Sequence, residues 1–357
     1  MGGGAVISVK SGEGYLFHQD QPARLCCDRE LSTSEIHESN DFYGQASVLK
    51  RYVGYPTSYA LKAVLEHAPV VQENMWQQDR RARLPVNFSC TQLRADQMRK
   101  YSGRPSFPIG FGFLYAAKLV ESTHGAVVNR RGTVVFPFKS THHFATEFDH
   151  VDYAKRLAAL PDWMQPMTIC IFWKDYLRGV YQAYVDQGQQ IVTAGHMYDA
   201  EFLLRLYDIC RRFRFAVSNE FGTHVFATVA SGCPHSFVES GAIKRDIPAE
   251  YRRDYVRDMP GFLQVRDQCR ALFSGGLHRR TTRDQRRFVD EILGTDFVRS
   301  PSDLRWLINQ AECRDKFWTF SRCGDHPMVK VIPAFYRRQL RQLRQRWKPS
   351  TNGSRAA

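Results

Sequence analysis

The sequence predicts an α/β protein, because short apolar strands alternate with amphipathic helices along its second half. Thr133–Phe136 and Met167–Trp173 are apolar almost throughout. Strands that are apolar on both faces are typical of a parallel sheet covered by helices on both sides. The chain has 357 residues, 43% of them hydrophobic, which favours two domains with buried cores.

Three further strands and a helix continue this pattern. A helix from about Asp199 places Phe202, Leu203, Leu206 and Cys210 on one stripe. The other strands are predicted at Gln190–Ala194, Arg214–Ser218 and His235–Glu239.

Residues 1–131 give weaker signals, which we interpret as a smaller α/β domain. Helices are predicted over Ser34–Tyr52 and Tyr59–Glu66. Short strands are predicted at Val70–Val71, Val86–Phe88 and Pro108–Phe113.

The cysteine pattern and the apolar runs point to a cytoplasmic protein. The nine cysteines are an odd number, are scattered, and lack zinc-like spacing, so reduced thiols are expected. The start of the chain does not have the pattern of a secretory signal, and no apolar run is long enough to span a bilayer.

The positive charge is concentrated in the last third of the chain. The net charge is +14, and residues 241–357 hold 25 Lys/Arg against 13 Asp/Glu. A nucleic acid, an anionic membrane or a polyanionic substrate would each suit this region, and charge alone does not choose among them.

A candidate phosphate loop follows the strand that ends at Ser218. Gly222 allows a ligand to approach the backbone, and the helix that Thr223 opens offers free N–H groups to a phosphate. The candidate nucleotide-binding residues are Ser218, Asn219, Gly222, Thr223, His224 and Glu239. A capped crossover helix without a ligand would use the same residues, so both interpretations stay open.

Polar residues after three other strands point to the same crevice. The candidate catalytic residues are His143, Asp149 and His196, since histidine and carboxylate side chains transfer protons near neutral pH. Lys139, Lys174 and Arg178 are candidates for phosphate or acceptor contacts. A solvated loop whose acidic residues cap a helix is the alternative, and no metal-binding motif such as HExxH is present.

The C-terminal residues predict a basic amphipathic helix over 331–348, followed by a disordered tail over 349–357. Tyr336, Leu340, Leu343 and Trp347 recur at helical spacing between arginines. Such a helix is typical of a peripheral contact with anionic lipid. Docking of its apolar stripe on the domain is the alternative.

Five blocks of the sequence resemble bacterial capsule-type and other surface-polysaccharide glycosyltransferases, including transferases of 3-deoxy-octulosonic acid. These blocks are Lys50–Pro56, Leu61–Pro69, Ile109–Tyr115, Gly132–Ser140 and Ser218–Pro234. The chain departs from the pattern at Ala68, where the family usually has glycine after histidine, and at Lys139, where a histidine often precedes the serine.

The resemblance implies a GT-B arrangement, in which two Rossmann-like domains face a cleft. Residues 1–131 would form the acceptor-side domain and residues 132–330 the nucleotide-sugar domain. It further implies that Gly222, Thr223 and His224 hold the donor phosphates and that Glu239 binds the ribose. No metal or other cofactor is expected, because helix termini and basic side chains neutralise the leaving phosphate in such enzymes.

The sequence therefore predicts a glycosyltransferase that moves a sugar from a nucleotide sugar to a growing polysaccharide or lipid-linked acceptor, at the inner membrane surface. The donor, acceptor and linkage are left open. A sugar-nucleotide epimerase of the same architecture is one alternative. A nucleic-acid-binding protein is another, although the arginines lie in helices without interleaved aromatic residues and no nucleic acid is expected.

Overall fold

The computed structural model describes residues 22–27, 35–69, 74–127, 129–141, 144–245, 247–248 and 259–322, the last six as backbone only. The strand predicted at Val70–Val71, the helix predicted over 331–348 and the tail over 349–357 lie outside the described residues. Within them the chain forms a mixed α/β structure with two parallel sheets. The eight described cysteines are free thiols.

The first half of the chain forms a three-stranded parallel sheet in the order β1-β2-β3. Its strands pair in register, with Ala63 opposite Val86 and Asn87 opposite Ser106. In chain order its elements are α1 (Pro22–Leu25), α2 (Gln45–Val53), β1 (Ala63–Leu65), α3 (Gln77–Arg81), β2 (Val86–Ser89), α4 (Gln92–Ser102), β3 (Ser106–Pro108) and α5 (Gly112–His124).

One helix prediction in this half was correct only in its second part, and another was wrong. The helix predicted over Ser34–Tyr52 begins only at Gln45, because Tyr43 and Gly44 adopt left-handed φ angles of 58° and 70° that end the preceding turns. The helix predicted over Tyr59–Glu66 is instead the strand β1, which is buried at all three residues. Pairing with β2 outweighs the helix preference of so short a segment.

The strand prediction at Pro108–Phe113 was correct only at its start. β3 ends at Pro108, and α5 begins at Gly112 after Gly110 turns the chain with φ of 76°. The prediction at Val86–Phe88 is confirmed, since β2 covers it and is buried throughout.

The second half forms a five-stranded parallel sheet in the order β7-β6-β4-β8-β9. All five predicted strands are confirmed, most of them ending earlier than predicted. In chain order the elements are β4 (Thr133–Phe136), β5 (Thr146–Glu147), α6 (His150–Ala158), β6 (Met167–Cys170), α7 (Trp173–Leu177), α8 (Gln182–Val185), β7 (Gln190–Val192), α9 (Phe202–Arg212), β8 (Phe215–Ser218), α10 (Thr223–Ala230), β9 (His235–Phe237) and β10 (Lys244–Arg245).

The last three described helices connect the second half back to the first. They are α11 (Pro260–Leu272), α12 (Arg283–Leu293) and α13 (Pro301–Arg322). α13 packs against α2, and Tyr55 and Tyr59 donate hydrogen bonds to Asn309 and Glu312 at 2.6 and 3.0 Å. A domain boundary at residue 131 therefore separates the two sheets, although α13 from the second half packs against α2 from the first.

Candidate functional site

A cavity of about 340 Å³ lies between the two parallel sheets. Segments that follow β1 and β3 line one wall, and segments that follow β4, β6, β7 and β8 line the other. The lining includes His67–Pro69, Phe111, Phe136–Lys139, Cys170–Phe172, Ala194–Gly195 and Phe221–His224. The carboxyl ends of both sheets thus face one cavity, where open parallel sheets bind ligands.

The cavity is centred on the point where the chain order of the larger sheet reverses. β4 lies in the middle, β6 and β7 follow it on one side, and β8 and β9 lie on the other. The loops after β4 and β8 therefore leave the sheet in opposite directions and open a crevice between them. Lys139 and Gly222 lie on these two loops and both line the cavity.

Asn219 holds the two loops of the crevice in place. Its side-chain oxygen accepts a hydrogen bond from the backbone N–H of Phe138 at 2.7 Å, and its amide donates to Ser240 Oγ at 2.7 Å. Ser218 is also used within the fold, because its hydroxyl lies 3.0 Å from the Glu220 carbonyl and 2.9 Å from His235 Nε2. These two predicted nucleotide-binding residues position the loop, and neither is part of the cavity lining.

The start of α10 faces the cavity. Gly222, Thr223 and His224 all line it, and the first turn of a helix leaves backbone N–H groups without intrahelical partners. A Cβ atom on Gly222 would lie 2.9 Å from Cε1 of the His224 ring, so any side chain at this position would require the ring to shift. The His224 ring is stacked on Phe136 at 5.4 Å. This turn can receive an anionic group.

Lys139 supplies a positive charge at the same wall. It is exposed, and its ammonium lies 3.9 Å from the centre of the Phe172 ring and 3.3 Å from Tyr43 Oη. Among the described lining residues, none is Asp or Glu. The charge available to a ligand is therefore positive, and an anionic ligand fits the cavity.

His67 lines the cavity, although no role was predicted for it from the sequence. It follows β1, and its ring lies 4.1 Å from that of Trp76 and 5.5 Å from that of Phe42. Burial lowers the pKa of His67 to about 4, Asp79 opposes this shift, and Lys139 adds to it. His67 is thus neutral at physiological pH and can accept a proton. Because Tyr59–Glu66 was predicted to be a helix, the sequence did not indicate that His67 follows the end of a strand.

The structure places neither Asp149 nor His196 in the cavity lining. His143 lies outside the described residues. Asp149 is exposed and caps α6, where its carboxylate accepts a hydrogen bond from the N–H of Asp152 at 2.8 Å. His196 is buried against Trp173, with ring centres 4.0 Å apart, and does not line the cavity.

The remaining predicted contacts also lie outside the cavity lining. Arg178 donates hydrogen bonds to Glu147 at 3.3 Å and to Ser140 Oγ at 3.2 Å. Lys174 is half-buried, and burial lowers its pKa. Glu239 is exposed beyond β9. Arg178 therefore supports the loop after β4, and neither Lys174 nor Glu239 lines the cavity.

The described part of the chain holds neither a metal-ligand cluster nor a membrane-spanning helix. There, no three His, Cys, Asp or Glu side chains are grouped so as to hold a metal ion. No helix of this part is both long and apolar enough to cross a bilayer.

Comparisons with known proteins give weak similarities. No protein-family model matches the sequence. No curated protein matches it either. A solved structure titled a GtfA/B complex aligns with 75% of this chain at 14% identity and a TM-score of 0.33, and the chain spans 55% of its length. The E. coli ADP-heptose LPS heptosyltransferase II aligns with 55% of this chain and 81% of its own at 11% identity and a TM-score of 0.27. Similarities of this size establish neither a fold family nor a function.

Proposed function

We propose that this chain is a glycosyltransferase that moves a sugar from a nucleotide-sugar donor to a saccharide or lipid-linked acceptor. The observation that carries the proposal is the cavity shared by the carboxyl ends of two parallel sheets. One wall provides the start of α10 and Lys139, and the other provides the neutral imidazole of His67. Two reactants can therefore meet there from opposite sides. The resemblance of five sequence blocks to surface-polysaccharide glycosyltransferases agrees with this proposal.

The donor would bind at the crevice between β4 and β8. Its phosphate groups would receive hydrogen bonds from the first turn of α10 at Gly222 and Thr223 and from the ammonium of Lys139. Negative charge grows on the leaving phosphate as the sugar–phosphate bond breaks. Hydrogen-bond donors held in fixed positions stabilise that charge and so lower the activation free energy. No metal is part of this proposal.

The acceptor would bind on the wall formed by the smaller sheet. Its hydroxyl oxygen attacks the anomeric carbon of the donor sugar, the bond from that carbon to the phosphate oxygen breaks, and the nucleotide leaves with the electron pair. His67 would take the hydroxyl proton, because it lines the acceptor wall and its imidazole is neutral before reaction. The catalytic roles of His143, Asp149 and His196 remain predictions.

A thermal-shift screen against CMP, UDP, GDP and ADP tests the donor site. A nucleotide present at about 100 times its dissociation constant stabilises the fold by roughly 2.7 kcal/mol. We expect one of the four to do so, and sugar transfer from the corresponding nucleotide sugar to follow. Stabilisation by none of them would contradict the proposal. Interconversion of a nucleotide sugar without any acceptor would instead indicate an epimerase.

A further inference from the structure

Seven arginines gather at the amino-terminal end of the five-stranded sheet, opposite the cavity. Some directly precede the strands β4 and β8, and the others lie in the loop before α12 and in its first turn. We call them the arginine face: Arg130, Arg131, Arg214, Arg279, Arg280, Arg283 and Arg286.

Backbone contacts bring one part of the face together around the turn before β9. Arg130 donates a hydrogen bond to the carbonyl of Ser231 at 2.7 Å, and Arg286 donates to the carbonyl of Ala230 at 3.4 Å. The two guanidinium groups thus bind adjacent carbonyls of one turn. Arg131 lies at the start of β4, where its N–H donates to the carbonyl of Arg212 at 3.3 Å.

Ring contacts connect the other part of the face. The Arg214 guanidinium lies 5.2 Å from the centre of the Phe215 ring, and the Arg279 guanidinium lies 4.1 Å from that of Trp163. Trp163 and Phe215 meet edge to face with centres 4.8 Å apart. Arg214 and Arg279 therefore contact the same pair of packed aromatic rings, although 65 positions separate them in the sequence.

The charges of the face are not neutralised within the described part of the chain. The neighbouring Arg211 and Arg212 pair with Asp208 at 2.7 and 3.0 Å, and Arg287 lies 3.7 Å from Asp284. None of the seven face arginines has a described carboxylate within ion-pair distance. The side chains of Arg130 and Arg286 contact carbonyls and those of Arg214 and Arg279 contact rings, which leaves the positive charge available to a partner.

We propose that the arginine face docks on an anionic lipid surface. Arg131 and Arg214 precede two adjacent strands, which are spaced about 4.8 Å apart, and the other arginines lie on a loop and a helix start beside them, so the charges form a broad array rather than a groove. Guanidinium groups suit the phosphates of lipid headgroups, which they bind with two parallel hydrogen bonds. Because the cavity opens at the other end of the same strands, docking leaves it accessible.

A nucleic acid is the other polyanion that would suit the charge of this face, and the ring contacts argue against it. Single strands are held by bases that stack on open aromatic faces. Trp163 is half-buried, and its ring is packed against Phe215 and covered by Arg279. The aromatic rings of the face thus support arginines instead of offering stacking platforms.

The test measures sedimentation of the full-length protein with vesicles. Arg279→Gln, Arg280→Gln and Arg283→Gln are combined in one variant, since all three side chains are exposed. The matched control combines Arg80→Gln, Arg81→Gln and Arg83→Gln, which removes three exposed charges beside the smaller sheet. On vesicles containing phosphatidylglycerol at low salt, we expect the face variant to lose roughly 100-fold in partitioning and the control to lose far less.

Two further sets of variants show which arginines are responsible for vesicle binding. Arg131→Gln with Arg214→Gln removes two exposed charges of the face without touching the Trp163 contact, and it should also weaken vesicle binding. Arg337→Gln, Arg338→Gln and Arg341→Gln test the helix predicted over 331–348. Wild-type binding should fall as salt rises and be slight on phosphatidylcholine alone.

The proposal is overturned if the face variants bind vesicles as well as the control does, or if only the 331–348 variant loses binding. It is equally overturned if the face variants keep vesicle binding but lose affinity for single-stranded RNA. No nucleotide or sugar enters these measurements, so their outcome is independent of the proposed transferase activity.

Discussion

The side-chain oxygen of Asn219 accepts a hydrogen bond from the backbone N–H of Phe138 at 2.7 Å, across the crevice where the order of the large sheet reverses. The same side chain donates to Ser240. One buried amide therefore sets the spacing of the loops after β4, β8 and β9, and through them the shape of the cavity wall.

Replacement of Asn219 should weaken both the fold and the donor site. Asn219→Ala removes the hydrogen bonds to the N–H of Phe138 and to Ser240, which costs about 1–3 kcal/mol in the free energy of unfolding. Nucleotide affinity should fall as well, because Gly222 and Lys139 lose their fixed separation. Urea unfolding and calorimetry measure the two effects. Asn87→Ala, in the smaller sheet, is the control: it should lose stability and retain nucleotide affinity, and equal losses of affinity in both variants would contradict the loop-spacing role.

Lys139 should contribute directly to donor affinity. A hydrogen bond from a charged group contributes about 1.5–3 kcal/mol, so Lys139→Gln should weaken nucleotide binding by roughly 10- to 100-fold and reduce its salt dependence. Lys118→Gln removes an equally exposed lysine from α5 and should leave affinity unchanged. Identical calorimetric affinities for wild type and Lys139→Gln would remove Lys139 from the donor site.

The low pKa of His67 predicts an unusual pH profile for sugar transfer. The pKa of His67 is lowered from the usual 6.5 to about 4, so the imidazole stays neutral down to mildly acidic pH. The value of kcat/KM should therefore stay constant as pH falls through 6.5 and decline only as the pH approaches about 4. An ascending limb near the ordinary histidine pKa would contradict this assignment.

Substitution separates the chemical role of His67 from its packing. His67→Gln should lower turnover by roughly 100-fold or more while nucleotide affinity stays similar. His124→Gln changes an exposed histidine at the end of α5 and serves as the control, with full turnover expected.

Gly294 should be among the least replaceable residues of the chain. Its φ is 67°, and a Cβ there would overlap the backbone carbonyl of Cys90 at the end of β2. Gly188 has a similar φ of 73° but open space around it. Both alanine variants lose roughly 1 kcal/mol to the left-handed backbone. Only Gly294→Ala adds overpacking of about 1–3 kcal/mol, and equal midpoints in urea would refute that difference.

Asp149 can be assigned by comparing two substitutions. Asparagine caps helices about as well as aspartate, whereas alanine loses about 1 kcal/mol. We expect Asp149→Asn to keep both the melting temperature and turnover, and Asp149→Ala to lose stability alone, because the carboxylate caps α6 and lies outside the cavity lining. A loss of turnover of about 100-fold in Asp149→Asn would restore its catalytic assignment.

The sequence by itself determined the architecture of the second half. Thr133–Phe136 and Phe215–Ser218 are buried at every position. A strand covered on both faces is apolar at most of its positions, so its local pattern predicts it. The glycine and threonine that open α10 were visible for a similar local reason, since a helix start has its own residue preferences.

Tertiary structure alone decided the smaller sheet and the cavity. Ala63–Leu65 is too short to show any period, and only its pairing with β2 makes it a strand that delivers His67 to the site. The arginine face depends on tertiary structure in the same way. Arg130 and Arg286 lie far apart in sequence and bind adjacent carbonyls before β9, because β4, β8 and β9 lie side by side. Local patterns encode burial, whereas the meeting of distant side chains depends on the order in which the strands pair.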